Sequence, residues 1–286
     1  MIPTEFDYHR PASVDEALDL LSRHGDDAKL FAGGHSLLPA MKLRLSSPAV
    51  IIDISRLEDL KGIGEEDGHV VIGGGATHHV IESSDLVKQK TPLFAQAAAV
   101  IGDVQVRNMG TLGGSVAHAD PAADYPAAVL ASDAEIRVVS PGRERSIAAE
   151  DFFLGLFTTG LEIDELILDL RIPAQTANTG ASYLKFPHPA SRFAVVGCAA
   201  SVTVEGGNCS DARVAFTGIS NSAFRDSGVE GALKGSSLDE AAIAAAADKA
   251  ADGVDLLSDV FAGEDYRRHL AKVYAKRAIA AAVAAA

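Results

Sequence analysis

The chain has 286 residues, with 39 acidic against 25 basic side chains and a formal net charge of −14. That balance argues against a nucleic acid or an anionic membrane as partner, because both need a basic face. Trp is absent and aromatic residues make up 6%, which argues against a base-stacking platform. Hydrophobic residues make up 48%, as in a globular chain of one large or two modest domains.

The N-terminal segment reads as a βαβ-like unit. Ser13 and Glu16 have the spacing of a capping box, and Val14, Ala17, Leu18 and Leu21 share one helical face ending at Gly25. Lys29 to Ala32 form a short apolar strand that breaks into Gly33-Gly34-His35-Ser36. Leu37 to Leu45 is helix-like, and Val50 to Ile54 is a buried type of strand. A new unit begins near Leu57. Val70 to Ile72 run into Gly73-Gly74-Gly75, Thr77 caps a short helix, and Thr91-Pro92 opens another through Ile101. Residues 102–114 read as a loop. Asp124 and Pro126 open a small apolar helix, Ile136 to Ile147 a hairpin, and Leu166 to Ile172 a half-buried strand.

Residues 173–180 are polar and form the linker candidate, dividing the chain into 1–176 and 177–286. Beyond the linker the pattern gives an antiparallel meander, then helices from Val229, Leu238 and Asp265. Strands followed by helices indicate an α+β unit. Cys198 and Cys209 flank a hairpin turn at Gly206-Gly207-Asn208. That register sets Cys198 opposite Ala215 and Cys209 opposite Val204, roughly 15–20 Å apart and too far to bridge. Two reduced thiols, no basic apolar leader and no ~20-residue apolar span lead to the expectation of a cytoplasmic chain.

Two segments share a design: an apolar lead, paired glycines, then a serine. They are Ala32-Gly33-Gly34-His35-Ser36 and Thr111-Leu112-Gly113-Gly114-Ser115. Paired glycines let the backbone turn and let a ligand lie close to it. Successive amides then converge on an anion, a way to hold a diphosphate in an acidic chain without basic side chains. A helix starting at Ser36 would aim its dipole at the same point, and the Ser36 and Ser115 hydroxyls add donors. Neither G-x-G-x-x-G nor G-x-x-x-x-G-K-[ST] is present, so the Rossmann and P-loop readings have no support.

These two loops, Phe6-Asp7-Tyr8 before Pro11, the stretch His118 to Pro126 and the overall length resemble the medium, flavin-binding subunits of molybdenum hydroxylases. The carbon monoxide dehydrogenase type, related to the flavin domain of xanthine dehydrogenase, is nearest. The resemblance covers essentially the whole chain. It implies a PCMH-like FAD domain of two subdomains, about 1–57 and 58–176, then a C-terminal domain of a small antiparallel sheet and helices. It also implies a redox subunit in a dimer of heterotrimers. Electrons would come from a small [2Fe-2S] subunit fed by a large molybdopterin-binding subunit, and FAD would pass them to an external acceptor, with the complex at the inner face of the membrane through its partners. Two cysteines cannot supply the Cys₄ set of a [2Fe-2S] cluster, in keeping with that division of labour.

By the same resemblance, Lys29, Leu30, Phe31, Ala32, Gly33, Gly34, His35, Ser36 and Leu37 wrap the diphosphate and adjoining sugar. Thr111, Gly114 and Ser115 form a second clamp, with Ser115 where many relatives have Asn. Ile101 and Gly102 line the flavin cleft, and Asp124 accepts from a ribityl or adenosine hydroxyl. Leu161 and Lys185 lie near the adenine and the flavin ring, and Phe193 shields the isoalloxazine. No residue is assigned as catalytic or metal-binding.

Blander readings stand beside these. Asp124 can be an N-cap, Lys185 a solvated strand residue, and Phe193 ordinary core. His78-His79 looks like a metal pair, but adjacent helix residues face different ways, so the pair reads as a solvated face. Competing functions are a stand-alone FAD-dependent reductase, a serine hydrolase using Ser36, and a scaffold without cofactor. The hydrolase motif G-x-S-x-G fails because Leu38 stands where the second Gly is needed.

Overall fold

The computed structural model describes residues 2–286. Its first part contains β1 (Asp7–His9), α1 (Val14–His24), β2 (Ala28–Phe31), α2 (Leu37–Lys42) and β3 (Val50–Asp53). Ser13 Oγ accepts from the Glu16 amide, and Glu16 returns a bond to the amide of Ala12. These reciprocal bonds satisfy two amides at the helix start and set where it begins. It buries Ala17, Leu18 and Leu21 against a parallel sheet of order β1-β3-β2. The first glycine loop leaves the carboxyl end of β2, where ligands of parallel sheets gather.

The second part comprises β4 (Ile63–Glu66), β5 (His69–Gly73), α3 (His78–Ser83), α4 (Asp85–Lys90), α5 (Pro92–Val100), α6 (Val104–Met109), α7 (Leu112–His118) and α8 (Tyr125–Ala131). It continues with β6 (Glu135–Ser140), β7 (Arg143–Ala148), α9 (Ala149–Phe152), β8 (Phe153–Gly155), β9 (Thr158–Thr159) and β10 (Leu166–Pro173). Five strands form a sheet of order β4-β5-β10-β6-β7, antiparallel throughout. Its central strand β10 is covered on both faces. Leu166 joins the core under α1, while Ile167, Leu170 and Ile172 join the core under α5 and α8. That is why β10 is buried almost throughout instead of alternating as a half-buried strand would.

The third part holds β11 (Thr179–Pro187), β12 (Ala194–Glu205), β13 (Asn208–Thr217), β14 (Phe224–Arg225), α10 (Ser227–Leu233), α11 (Glu240–Ala247) and α12 (Glu264–Ala284). The sheet order β11-β12-β13-β14 is the expected meander. One face packs on α12 and the other on α5 and α8, so β12 is buried on both sides and is built from small residues such as Gly197, Ala199 and Ala200. Cys209 lies opposite Val204 as expected, but Cys198 lies opposite Phe216, one place from the Ala215 expected, because a bulge at Thr203 and Val204 shifts the register. Both thiols are free and buried. Taken together, the molecule is an α+β chain with a two-subdomain first half and a C-terminal domain of one small antiparallel sheet plus helices.

Candidate functional site

Three segments meet at the carboxyl end of β2: the first glycine loop, the Gly73-Gly74-Gly75 run, and the approach to α7. A Cβ on Gly33 would collide with the carbonyl of Met109 and with Gly110, so the first glycine loop touches the backbone that leads into the second. Gly34 has φ +70° and would press a Cβ into the Phe31 ring, so glycine is required there on both counts.

The amides of Gly33, Gly34, His35, Ser36 and Leu37 donate to no acceptor among the described residues. Five successive such donors in a half-exposed loop are of the kind that can hold an anion. His35 closes its rim, with Nδ1 2.9 Å from the Gly33 carbonyl. Since α2 has only six residues and ends at Lys42 rather than Leu45, the cradle depends on these amides more than on a helix dipole.

The second loop differs from its expected form. Gly113 and Gly114 lie in the first turn of α7, with Thr111 as N-cap. Their amides are engaged: Leu112 bonds Ala76 O at 3.0 Å, Gly113 bonds Gly74 O at 2.8 Å, Gly114 bonds Thr111 Oγ1, and Ser115 bonds Thr111 O. Gly113 is glycine because a Cβ would meet the Gly74 backbone, while a Cβ on exposed Gly114 would meet only Thr111 Oγ1. This segment can offer a ligand a bare surface at Gly114 and the Ser115 hydroxyl, but no row of amides.

Residues 102–114, read as a loop, contain α6. Asp103 caps it and bonds the Val106 amide at 2.9 Å; that bond holds the carboxyl below the usual range. Arg107 on α6 pairs with Glu82 at 2.8 Å and bonds the Ile101 carbonyl at 3.1 Å. Gly102, at φ +49°, follows directly. Arg107 stands out in the sequence only as a charge that could meet a partner subunit; its pairing with Glu82 spans 25 positions and has no local signal.

His78 corrects the solvated-face reading. It is 4% exposed, with its ring 5.4 Å from that of Tyr125. Burial, reinforced by His35 and Arg107, lowers its pKa to about 4, so the ring is neutral. Its backbone amide donates to Gly110 O, tying α3 to the second loop. The face of α3 that goes inward is chosen by Tyr125, which no local pattern reveals.

Asp124 does not cap α8 with its side chain. Its carboxylate accepts from Tyr183 Oη at 2.6 Å and from Lys185 Nζ at 2.8 Å. Lys185 is thus no solvated strand residue: the ion pair is buried, and its ammonium also bonds Val100 O at 2.9 Å. Tyr183 and Lys185 share one face of β11, as residues two apart must. Desolvation raises the pKa of Asp124 to about 6 despite the lysine. The neighbouring loop is clamped from the C-terminal sheet. Thr217 Oγ1 reaches Pro121 O and Ala123 O, Gly218 N donates to Pro121 O, and Ala194 N donates to Ala122 O. Leu161 packs beside the central core. Phe193 is 42% exposed on the β11–β12 connection, so it is not core.

The fold is of the α+β type, with a loop of free amides at the carboxyl end of β2. Residues 4–175 match the model "FAD binding domain in molybdopterin dehydrogenase", and residues 181–282 match "CO dehydrogenase flavoprotein C-terminal domain". The chain belongs to this family, the FAD-binding medium subunits of molybdenum hydroxylases. It is 42% identical to the carbon monoxide dehydrogenase medium chain of Hydrogenophaga pseudoflava, over 99% of this chain and 98% of that one. A solved structure of that organism's carbon monoxide dehydrogenase superposes with a TM-score of 0.96 at 43% identity, covering 99% of both chains. Quinoline 2-oxidoreductase from Pseudomonas putida 86 gives a TM-score of 0.93 at 32% identity, covering 99% of both. FAD is the cofactor of the family, and the family's proteins are oxidoreductases. The bare amides at 33–37 and the open Cα of Gly114 suit a dinucleotide's diphosphate.

Proposed function

We propose that this chain is the electron-transfer flavoprotein of a molybdenum hydroxylase, divided at residues 176 and 177. It would work beside a large molybdopterin-binding subunit and a small [2Fe-2S] subunit, in a dimer of heterotrimers. The observation that carries this reading is the run of five unpaired amides from Gly33 to Leu37. Bound FAD would supply the redox chemistry, accepting electrons from the iron–sulfur partner and releasing them to an external acceptor.

The chain's own work is binding and orientation. The first glycine loop would hold the diphosphate by its amides, with residues 29–32 along the sugar. Gly114 would give close approach and Ser115 a hydroxyl donor. Ile101, held by Arg107, and Gly102 would line the ring cleft, with Phe193 shielding its open side. Lys185 and Asp124 would set the charge beneath it, and Leu161 would pack near the adenine. Ser36 bonds no histidine or carboxylate among the described residues, so nothing supports the hydrolase reading. Carbon monoxide and quinoline are named for relatives of almost the same fold, so substrate choice falls to the large subunit.

The test is the purified chain itself. The expected result is a yellow protein whose released cofactor is FAD. A colourless protein that binds no FAD and hydrolyses esters would contradict the proposal.

A further inference from the structure

The connection that joins β11 to β12, residues 188–193, is folded back on one imidazole. His188 Nδ1 accepts the amides of Ala190 and Ser191, at 3.2 and 3.3 Å. The Arg192 amide donates to the His188 carbonyl and the His188 amide to the Phe193 carbonyl, both at 2.8 Å. We propose that this connection is a pH-operated clasp, closed while His188 is neutral and open once its ring is protonated. The clasp stands apart from the FAD reading, since none of these bonds involves a ligand.

Three observations carry it. First, only an unprotonated Nδ1 can accept, so the closed form holds the neutral ring with its proton on Nε2. Protonation puts an N–H where two N–H groups already converge, and those two amides have no other acceptor among the described residues. Second, the closed form keeps Arg192 at φ +62°, a left-handed backbone that a residue other than glycine adopts at a cost. A connection that loses its two ring bonds relaxes that strain by opening. Third, the site is within reach of solvent protons. Residues 189–193 are exposed and His188 is half-buried, resting on Phe261 with ring centroids 4.7 Å apart.

The charged groups around the ring do not take its place as the switch. Asp259, two residues before Phe261, accepts from the amides of Ala262 and Phe261 and from Arg267, and these bonds hold its carboxyl below the usual range. Glu264 and Asp265, in the first turn of α12, are exposed, and Tyr266 packs edge-on against Phe186. On β11, Lys185 is turned to Asp124. Arg192 stays charged, and Asp103 on α6, which feels that charge, is held low chiefly by the Val106 amide. An imidazole is the side chain whose charge changes between pH 5 and 8. Opening frees Arg192 and the exposed Phe193 ring as far as Ala194, whose amide is anchored on Ala122 O.

The test is amide hydrogen exchange of the full chain, read by NMR at residues 190 and 191 and corrected for intrinsic rates. Protection of both amides should fall at least about tenfold from about pH 7.5 to about pH 5.5, as two hydrogen bonds are lost, while the amides of β12 stay protected. His188→Asn sets an oxygen acceptor where Nδ1 stands and cannot be protonated, so protection should stay high at both pH values. His188→Phe keeps a ring on Phe261 without an acceptor, so protection should be low at both. Wild-type protection that ignores pH, a loss shared equally by β12, a pH-dependent loss that persists in His188→Asn, or full protection in His188→Phe would each overturn the clasp. Nitrogen-15 shifts that put the ring proton on Nδ1 at neutral pH would do the same.

Discussion

Glycine plays two separate roles at the cradle. At Gly33 a side chain would strike the backbone of Met109 and Gly110, which cannot move aside as a flexible side chain would. Gly33→Ala should therefore destabilise the fold by at least about 2 kcal/mol in urea titration, besides losing FAD. At Gly114 a methyl meets only Thr111 Oγ1. The helix gains roughly 1 kcal/mol from Ala over Gly and risks a similar amount at the cap, so stability should barely change. FAD affinity should still fall about tenfold, or ~1.4 kcal/mol, in equilibrium dialysis. Equal FAD affinity in Gly114→Ala would show that no ligand passes over that residue.

His78 gives a pH signature. Its pKa falls from 6.5 to about 4 on burial, so the unfolded chain binds more protons between those values and stability rises with pH across that window. The contribution is complete above the unfolded value and lost toward pH 4. Asp124, raised to about 6, has the opposite sign, so the wild-type curve alone hides both. The stability difference between wild type and His78→Phe should shrink by roughly 3 kcal/mol from pH 7 to pH 4. A difference independent of pH would mean that the imidazole is solvated.

Between elements, the C-terminal sheet grips the loop before α8. Thr217→Val keeps the shape but strips both Pro121 O and Ala123 O of their hydroxyl donor. It should cost about 1–3 kcal/mol in denaturant unfolding, and FAD should be released faster, because Asp124 lies in that loop. Such contacts also mark the boundary of what the sequence reveals. Ser13 and Thr77 are readable as caps because their partner amides lie three residues away. The first glycine loop is readable because strand, glycine pair and helix follow one another. Helix α7 is not, since Gly113 is demanded by the Gly74 backbone rather than by a turn, and an isolated Gly-Gly pair reads as a turn. Asp124 and Lys185 are 61 positions apart, and only the domain seam brings them together. The resemblance named both residues but not their pairing.

Across the whole molecule, the two domains share one core. Tyr183, Ala199 and Ala215 of the C-terminal sheet sit in the same buried cluster as Phe94 and Tyr125. A chain cut after residue 176 would expose that apolar face and leave Asp124 without both donors. Removing one partner of a buried pair costs about 3–5 kcal/mol, so the fragment should aggregate and retain no FAD, as size-exclusion chromatography would show. A soluble, yellow fragment would mean that the seam is dispensable. FAD binding rests most on the unpaired amides of Gly33 to Leu37, and a structure of the FAD-loaded chain examines them directly. The prediction is that diphosphate oxygens lie within hydrogen-bond distance of those amides, with Gly114 against the same group. A diphosphate bound elsewhere, with those five amides turned to water, would contradict it.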